Sequence, residues 1–162
     1  MAERAQDSMK KQLVLFVCTG NTCRSPMAAA LFNQAAGETD YRAESAGLAA
    51  GFGDPAAGSA VRALAGLNDI DLAGHRSRAV SPGLIEQAAW VLTMTAAQAG
   101  TLRRIFPNHA VKIRTLGEMA GLTPEQVSDP YGGDDDAYLA TALQLKKMVE
   151  ALIAGLPARD RS

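Results

Sequence analysis

The chain has 162 residues, enough for one domain with a sizeable core and crowded for two. Its 16 Lys plus Arg against 17 Asp plus Glu exclude the strongly basic balance of a nucleic-acid binder and give no general attraction to an anionic membrane, so an anion site has to be local. Cys18 and Cys23 are the only cysteines, too few for a secreted disulfide framework and without the CxxC or His partners of a zinc site, which leaves burial or a chemical use for a thiol.

Residues 1–11 read as a polar N-terminal tail with no signal-peptide pattern, and no window reaches the apolar length of a membrane span, so the expected location is the cytoplasm. LVLFV (13–17) is a short continuous apolar run and predicts a buried strand. SPMAAALFNQAAG (25–37) predicts a helix, with Ser25 as its cap, Pro26 near the first helical position and Gly37 as its stop. Next come a short strand at 41–47, a helix at 54–68, a buried strand at 88–94, a helix at 97–106 stopped by Pro107, and a strand at 110–116. The final helix, 136–155, repeats Tyr138, Ala142, Leu145, Val149 and Leu152 at helical spacing. DDD (134–136) just before it suits a helix N-terminus, where the dipole favours negative charge. Alternating strands and helices predict an α/β fold: a single domain with a central four-stranded parallel sheet and helices on both faces. In such folds ligands bind beyond the carboxyl ends of the strands.

The turn that leaves the first strand, CTGNTCRS (18–25), sits at such an end. A strand-to-helix turn aims backbone N–H groups at one point, and the helix dipole adds partial positive charge there. Gly20 and Asn21 tolerate the left-handed backbone that a tight turn uses. Arg24 offers a planar fork for two oxygens of a phosphate. A thiol at Cys18, facing amide donors and a guanidinium, is favoured as thiolate, the nucleophilic form. Thiolate attack at phosphorus expels a group that needs a proton, and Asp129 in VSDPYGG (127–133) is a carboxylic acid on a loop of the kind that carries chemistry. Asp-Pro is equally a turn former.

VCTGNTCRSPMA (17–28) resembles the signature of the low-molecular-weight protein tyrosine phosphatase family, Cys-x5-Arg-Ser close to the N-terminus. ESAG (44–47), GHRSR (74–78), VLTMT (91–95) and DPYGG (129–133) follow in the family's order, so the resemblance spans residues 12–157 and leaves 158–162 as a C-terminal tail. It implies Cys18 as nucleophile, Arg24 and the loop Thr19, Gly20, Asn21, Thr22 and Cys23 as the phosphate cradle, and Asp129 as general acid and then base. It also implies Ser25 as a hydrogen-bond donor to the Cys18 sulfur, His75 as a brace for Asn21, and Tyr131 as an aromatic wall beside the substrate. This chemistry needs no metal and no cofactor. The implied partners are phosphorylated proteins, with inorganic phosphate as product and no role for nucleic acid or a membrane span.

Thr22 bears on the substrate. Tyrosine-specific members usually carry a branched apolar residue here, whereas CTGNTCRSP resembles the members that remove phosphate from arginine. A hydroxyl can pair with a guanidinium, whose N–H groups an aliphatic wall would strand at a cost of ~1–3 kcal/mol. Phosphoarginine is therefore favoured over phosphotyrosine. Arsenate reductases share the scaffold but relay electrons through later cysteines, and no cysteine follows Cys23. A non-catalytic phosphate-binding module would leave the combination of Cys18, Arg24 and Asp129 unexplained. Related enzymes imply a reversible disulfide between Cys18 and Cys23, while a small buried thiol filling space is the alternative reading of Cys23.

Overall fold

The computed structural model describes residues 11–157; the tails expected at the two ends lie outside these, apart from Lys11, whose Nζ donates to the Gly37 carbonyl at 2.8 Å. The apolar run forms β1 (Gln12–Cys18), the strand on which the sheet is built. Its side chains alternate between two cores. Val14, Phe16 and Cys18 join one, and Leu13, Leu15 and Val17 join the other. Burying an aliphatic or aromatic side chain of this size stabilises by roughly 1.5–3 kcal/mol, so β1 is held from both sides.

Four parallel strands run in the order β2 (Tyr41–Gly47), β1, β3 (Trp90–Thr93), β4 (Ile113–Thr115). The chain leaves β1 towards β2 through α1 (Arg24–Ala36), then returns across the sheet to β3 through α2 (Gly58–Asn68) and α3 (Pro82–Gln87). The direction of travel therefore reverses at β1, and a crevice opens beyond its carboxyl end. α4 (Ala96–Ile105) leads towards β4, α5 (Leu116–Met119) follows that strand, and α6 (Asp135–Gly155) completes the described chain. α1, α2 and α6 cover the Phe16 face, where the Phe16 and Phe32 rings lie 5.8 Å apart and tilted. Ile85 of α3 with Ala99 and Leu102 of α4 cover the Leu15 face. The five α6 positions at helical spacing are all buried.

Several boundaries differ from the sequence reading, each for a physical reason. Residues 54–57 are not helical, because tertiary hydrogen bonds use their backbone: the Ser77 N–H donates to the Asp54 carbonyl, the Asp54 N–H donates to Ser77 Oγ, and the Ala57 N–H reaches the Thr22 carbonyl at 2.9 Å. The strand expected at 110–116 shrinks to Ile113–Thr115, since Pro107 starts a 3-10 turn that runs to Lys112. α3 and α5 were not expected. Both are short helices started by side-chain caps, Ser81 accepting from the Leu84 N–H and Thr115 from the Glu118 N–H. Ser25 is not the cap of α1; it lies inside the first turn, and its hydroxyl is used elsewhere.

Candidate active site

The loop 18–24 begins where β1 ends and runs against the end of β2. Gly47 pairs with Cys18 there, and a Cβ at Gly47 would stand 2.7 Å from the Thr19 carbonyl oxygen and 3.1 Å from the Asn21 Cβ, so only glycine admits this approach. The scaffold takes up the loop's carbonyls. Leu48 and Ala49 N–H donate to Cys18 and Thr19 oxygens, His75 Nε2 bonds the Asn21 oxygen at 2.7 Å, and Ala57 N–H bonds that of Thr22. The loop's own N–H groups are thereby left as donors for the cleft it encloses.

Asn21 is the buried hub of this arrangement. Its φ of 56° is left-handed, a conformation that costs a non-glycine residue roughly 1–2 kcal/mol. Its side chain offsets this strain: Nδ2 donates to Ser25 Oγ and Ser45 Oγ, both at 2.9 Å, and Oδ1 accepts from the Arg78 N–H at 3.0 Å. Gly20, by contrast, has no positive φ and would meet nothing closer than 3.7 Å with a Cβ. Arg78 reaches on to the Ser45 carbonyl and, with Arg42, to Glu44. Burial pushes the Glu44 carboxyl up, but hydrogen bonds and charge from the two arginines outweigh it, and the group ends below its ordinary range.

Cys18 is buried, with Sγ 3.0 Å from Ser25 Oγ. Ser25 Oγ accepts from Asn21 and stands 3.4 Å from the Ala46 carbonyl, so its one hydrogen has two acceptors in reach, that carbonyl and the nearer Cys18 sulfur. Arg24 is 4% exposed; Nη1 donates to the Val127 carbonyl at 3.0 Å, Nη2 stands 3.6 Å from Asp129 Oδ2, and Nε is buried with no protein partner. An anion in the cleft would satisfy that nitrogen, which otherwise forfeits ~1–3 kcal/mol.

Asp129 has half its side chain exposed, and its Oδ1 accepts from the Tyr131 N–H at 3.0 Å in an Asx-type turn, followed by a second turn in which the Gly133 N–H donates to the Pro130 carbonyl. Tyr131 is exposed at the rim. Together Cys18, Thr19, Gly20, Thr22, Cys23, Arg24, Asp129 and Tyr131 line a cleft of about 220 Å³. Ser25, Asn21 and His75 do not line it and support the loop from behind. Cys23 turns its thiol to the buried Tyr138 hydroxyl, 3.3 Å away, and burial followed by this contact pushes the Tyr138 phenol above its ordinary range.

Ser45, Arg78, Gln98 and Tyr138 were not singled out by sequence reasoning. Ser45 and Arg78 lie inside motifs quoted above, whereas Tyr138 registers in the sequence only as a core position of a helix. Among the described residues, no group of three or more His, Cys, Asp or Glu is arranged to hold a metal, and no helix is long and apolar enough to cross a membrane.

A family model described as low molecular weight phosphotyrosine protein phosphatase matches residues 13–161. A relative from Geobacillus stearothermophilus, named as a protein-arginine-phosphatase, is 37% identical over 142 residues, covering 86% of this chain and 92% of its own. A probable low molecular weight protein-tyrosine-phosphatase from Ralstonia solanacearum is 33% identical over 145 residues, with 90% and 96% covered. Among solved structures, a low molecular weight protein tyrosine phosphatase from T. tengcongensis matches with a TM-score of 0.87 at 39% identity, over 90% of this chain and 100% of that one.

Proposed function

The chain belongs to the low-molecular-weight phosphotyrosine protein phosphatase family, and from that premise we propose that it hydrolyses phosphorylated protein side chains through a phosphocysteine at Cys18, with phosphoarginine preferred. The observation that supports this most is the meeting of a buried thiol, a buried guanidinium with a vacant Nε, and a half-exposed carboxylate in one cleft.

In the first step the Cys18 thiolate attacks phosphorus, the S–P bond forms and the bond to the leaving nitrogen or oxygen breaks. Asp129 gives its proton to the departing group. Arg24 and the loop amides hold the equatorial oxygens, where charge concentrates. In the second step Asp129 takes a proton from water, the water attacks phosphorus, and inorganic phosphate leaves as the S–P bond breaks. The Ser25 hydrogen stabilises the returning thiolate.

The preference for phosphoarginine is supported by Thr22, which lines the cleft with a hydroxyl, and by the 37% identical relative named for arginine. Phosphotyrosine is the second reading, favoured by Tyr131, an exposed aromatic face at the rim, and by relatives named for tyrosine. Steady-state kinetics on phosphoarginine and phosphotyrosine peptides decide between them. Thr22→Ile is expected to shift the ratio of kcat/KM towards phosphotyrosine by about 10-fold or more; an unchanged ratio removes the argument from Thr22. Cys18→Ser is expected to abolish turnover of an aryl phosphate while retaining phosphate binding, and substantial residual turnover would overturn the mechanism.

A further inference from the structure

Gln98 lies in the first turn of α4, outside the loops that carry the proposed chemistry, and is 7% exposed. Its Oε1 accepts from the Met94 N–H at 3.0 Å and the Thr95 N–H at 3.1 Å, while its backbone N–H donates to Thr95 Oγ1 at 3.2 Å. These bonds form a capping box and hold the start of α4. The remaining end of the amide does something else: Nε2 donates to Thr19 Oγ1 at 3.2 Å.

The two ends of an amide are not interchangeable, since the oxygen only accepts and the nitrogen only donates. Two backbone N–H groups claim the oxygen, so the nitrogen has to face Thr19. The Thr19 oxygen therefore accepts, and its hydroxyl hydrogen has to find an acceptor elsewhere. Among the described residues no protein acceptor takes it, and Thr19 is exposed where it lines the cleft beside Cys18 and Arg24, so a ligand there takes the place of solvent as the acceptor. A phosphoryl group is rich in acceptors and has little else to offer a hydrogen-bonding wall.

We propose that Gln98 is a positioning residue that fixes the Thr19 hydroxyl as a hydrogen-bond donor to the phosphoryl group of the substrate. This rests on the phosphatase reading of the cleft. It adds a side-chain donor to the loop amides and Arg24, oriented before the substrate arrives, which is where electrostatic stabilisation is most effective.

Two variants of Gln98 separate this role from helix capping. In Gln98→Glu the carboxylate still accepts from Met94 and Thr95, so the cap survives, but its other oxygen forces Thr19 to donate to it and withdraws the hydrogen from the cleft. Gln98→Met loses the cap and leaves the Thr19 hydroxyl free to turn towards the substrate. For Gln98→Glu the expected result is a Tm close to wild type, with kcat/KM for para-nitrophenyl phosphate lower and the inhibition constant of inorganic phosphate higher, each by about 10-fold. For Gln98→Met it is a lower Tm with a smaller loss of kcat/KM. Activity that follows Tm through both variants would overturn the proposal. The added negative charge is isolated by repeating Gln98→Glu in a Thr19→Val background, where its further effect should be at most about 2-fold after screening. A full further 10-fold loss in that background would also overturn the proposal. If the wild-type protein neither turns over the aryl phosphate nor is inhibited by phosphate, the phosphatase reading itself falls and the Thr19 donor with it. An active wild type whose Gln98 variants follow Tm sinks only the role of Gln98.

Discussion

The two loops that meet at the cleft are built on opposite principles. The loop 18–24 is over-determined, with Cys18, Asn21, Cys23 and Arg24 buried and Thr19 exposed: its hub, Asn21, is fully enclosed, uses both ends of its side-chain amide, and has its carbonyl held by His75. The loop around Asp129 is largely exposed and is held by a small turn of its own, with a single 3.6 Å ion pair reaching from that carboxylate to Arg24. The difference suits the part each loop has in the proposed mechanism. An anion cradle works by donors that are already aimed and need no reorganisation. A proton donor and acceptor has to reach both a leaving group and water, so it cannot be sealed in. In the proposed mechanism rigidity is thus concentrated where charge is bound and access is retained where protons move.

Substitutions on the two sides should therefore fail in different ways. After the abolished turnover expected of Cys18→Ser, Asp129→Asn has the next largest expected effect on rate, a loss of roughly 10²–10⁴-fold in kcat, because proton transfer in the proposed mechanism is removed. Asparagine keeps the Oδ1 that accepts from Tyr131, so urea unfolding should shift by less than about 0.5 kcal/mol. A large stability loss in this variant would break the contrast. Asn21→Ala should behave in the opposite way, destabilising by about 2–4 kcal/mol through stranded partners and left-handed strain while raising the inhibition constant of phosphate. A variant that melts like wild type would show that the hub is not what holds the loop.

The smallest effect concerns Glu44, one layer further from the cleft. Its folded-state value lies below its ordinary 4.5, so its contribution is fully present above that pH and is lost as the pH falls through the folded value. Urea midpoints of wild type and Glu44→Gln should accordingly differ at neutral pH and converge on acidification through that window. A difference that widens on acidification would reverse the sign of the argument.

Much of this contrast was legible in the sequence, and the part that was not has a common cause. Cys18, Arg24 and Ser25 fall within one turn between a recognisable strand and helix, so their proximity is guaranteed by local geometry. Asp129 is remote in sequence but carries a turn signal and a family motif. The helix begins only at Gly58, although Asp54 and Ala57 have good local reasons to be turn-like or helical, because distant partners in loop 18–24 and at Ser77 claim their backbone. Gln98 is visible as the fourth residue of a Thr-x-x-Gln capping pattern, but the other hand of its amide points at a residue 79 positions away. Tyr138 shows in the pattern as apolar periodicity alone, and its hydroxyl finds Cys23 only once α6 is packed.

Val127 is clamped twice: its N–H donates to the Met94 carbonyl at the end of β3, and its carbonyl accepts from Arg24. The anchor stands two positions before Asp129. The arm that carries Asp129 therefore starts from a fixed point shared with Arg24, and its swing is limited by the length of that short arm. In the proposed mechanism Asp129 acts by local adjustment about this pinned pivot, with no domain closure required. The position of Asp129 is accordingly coupled to the carboxyl end of β3, an interior strand, more than to the mobility of a lid.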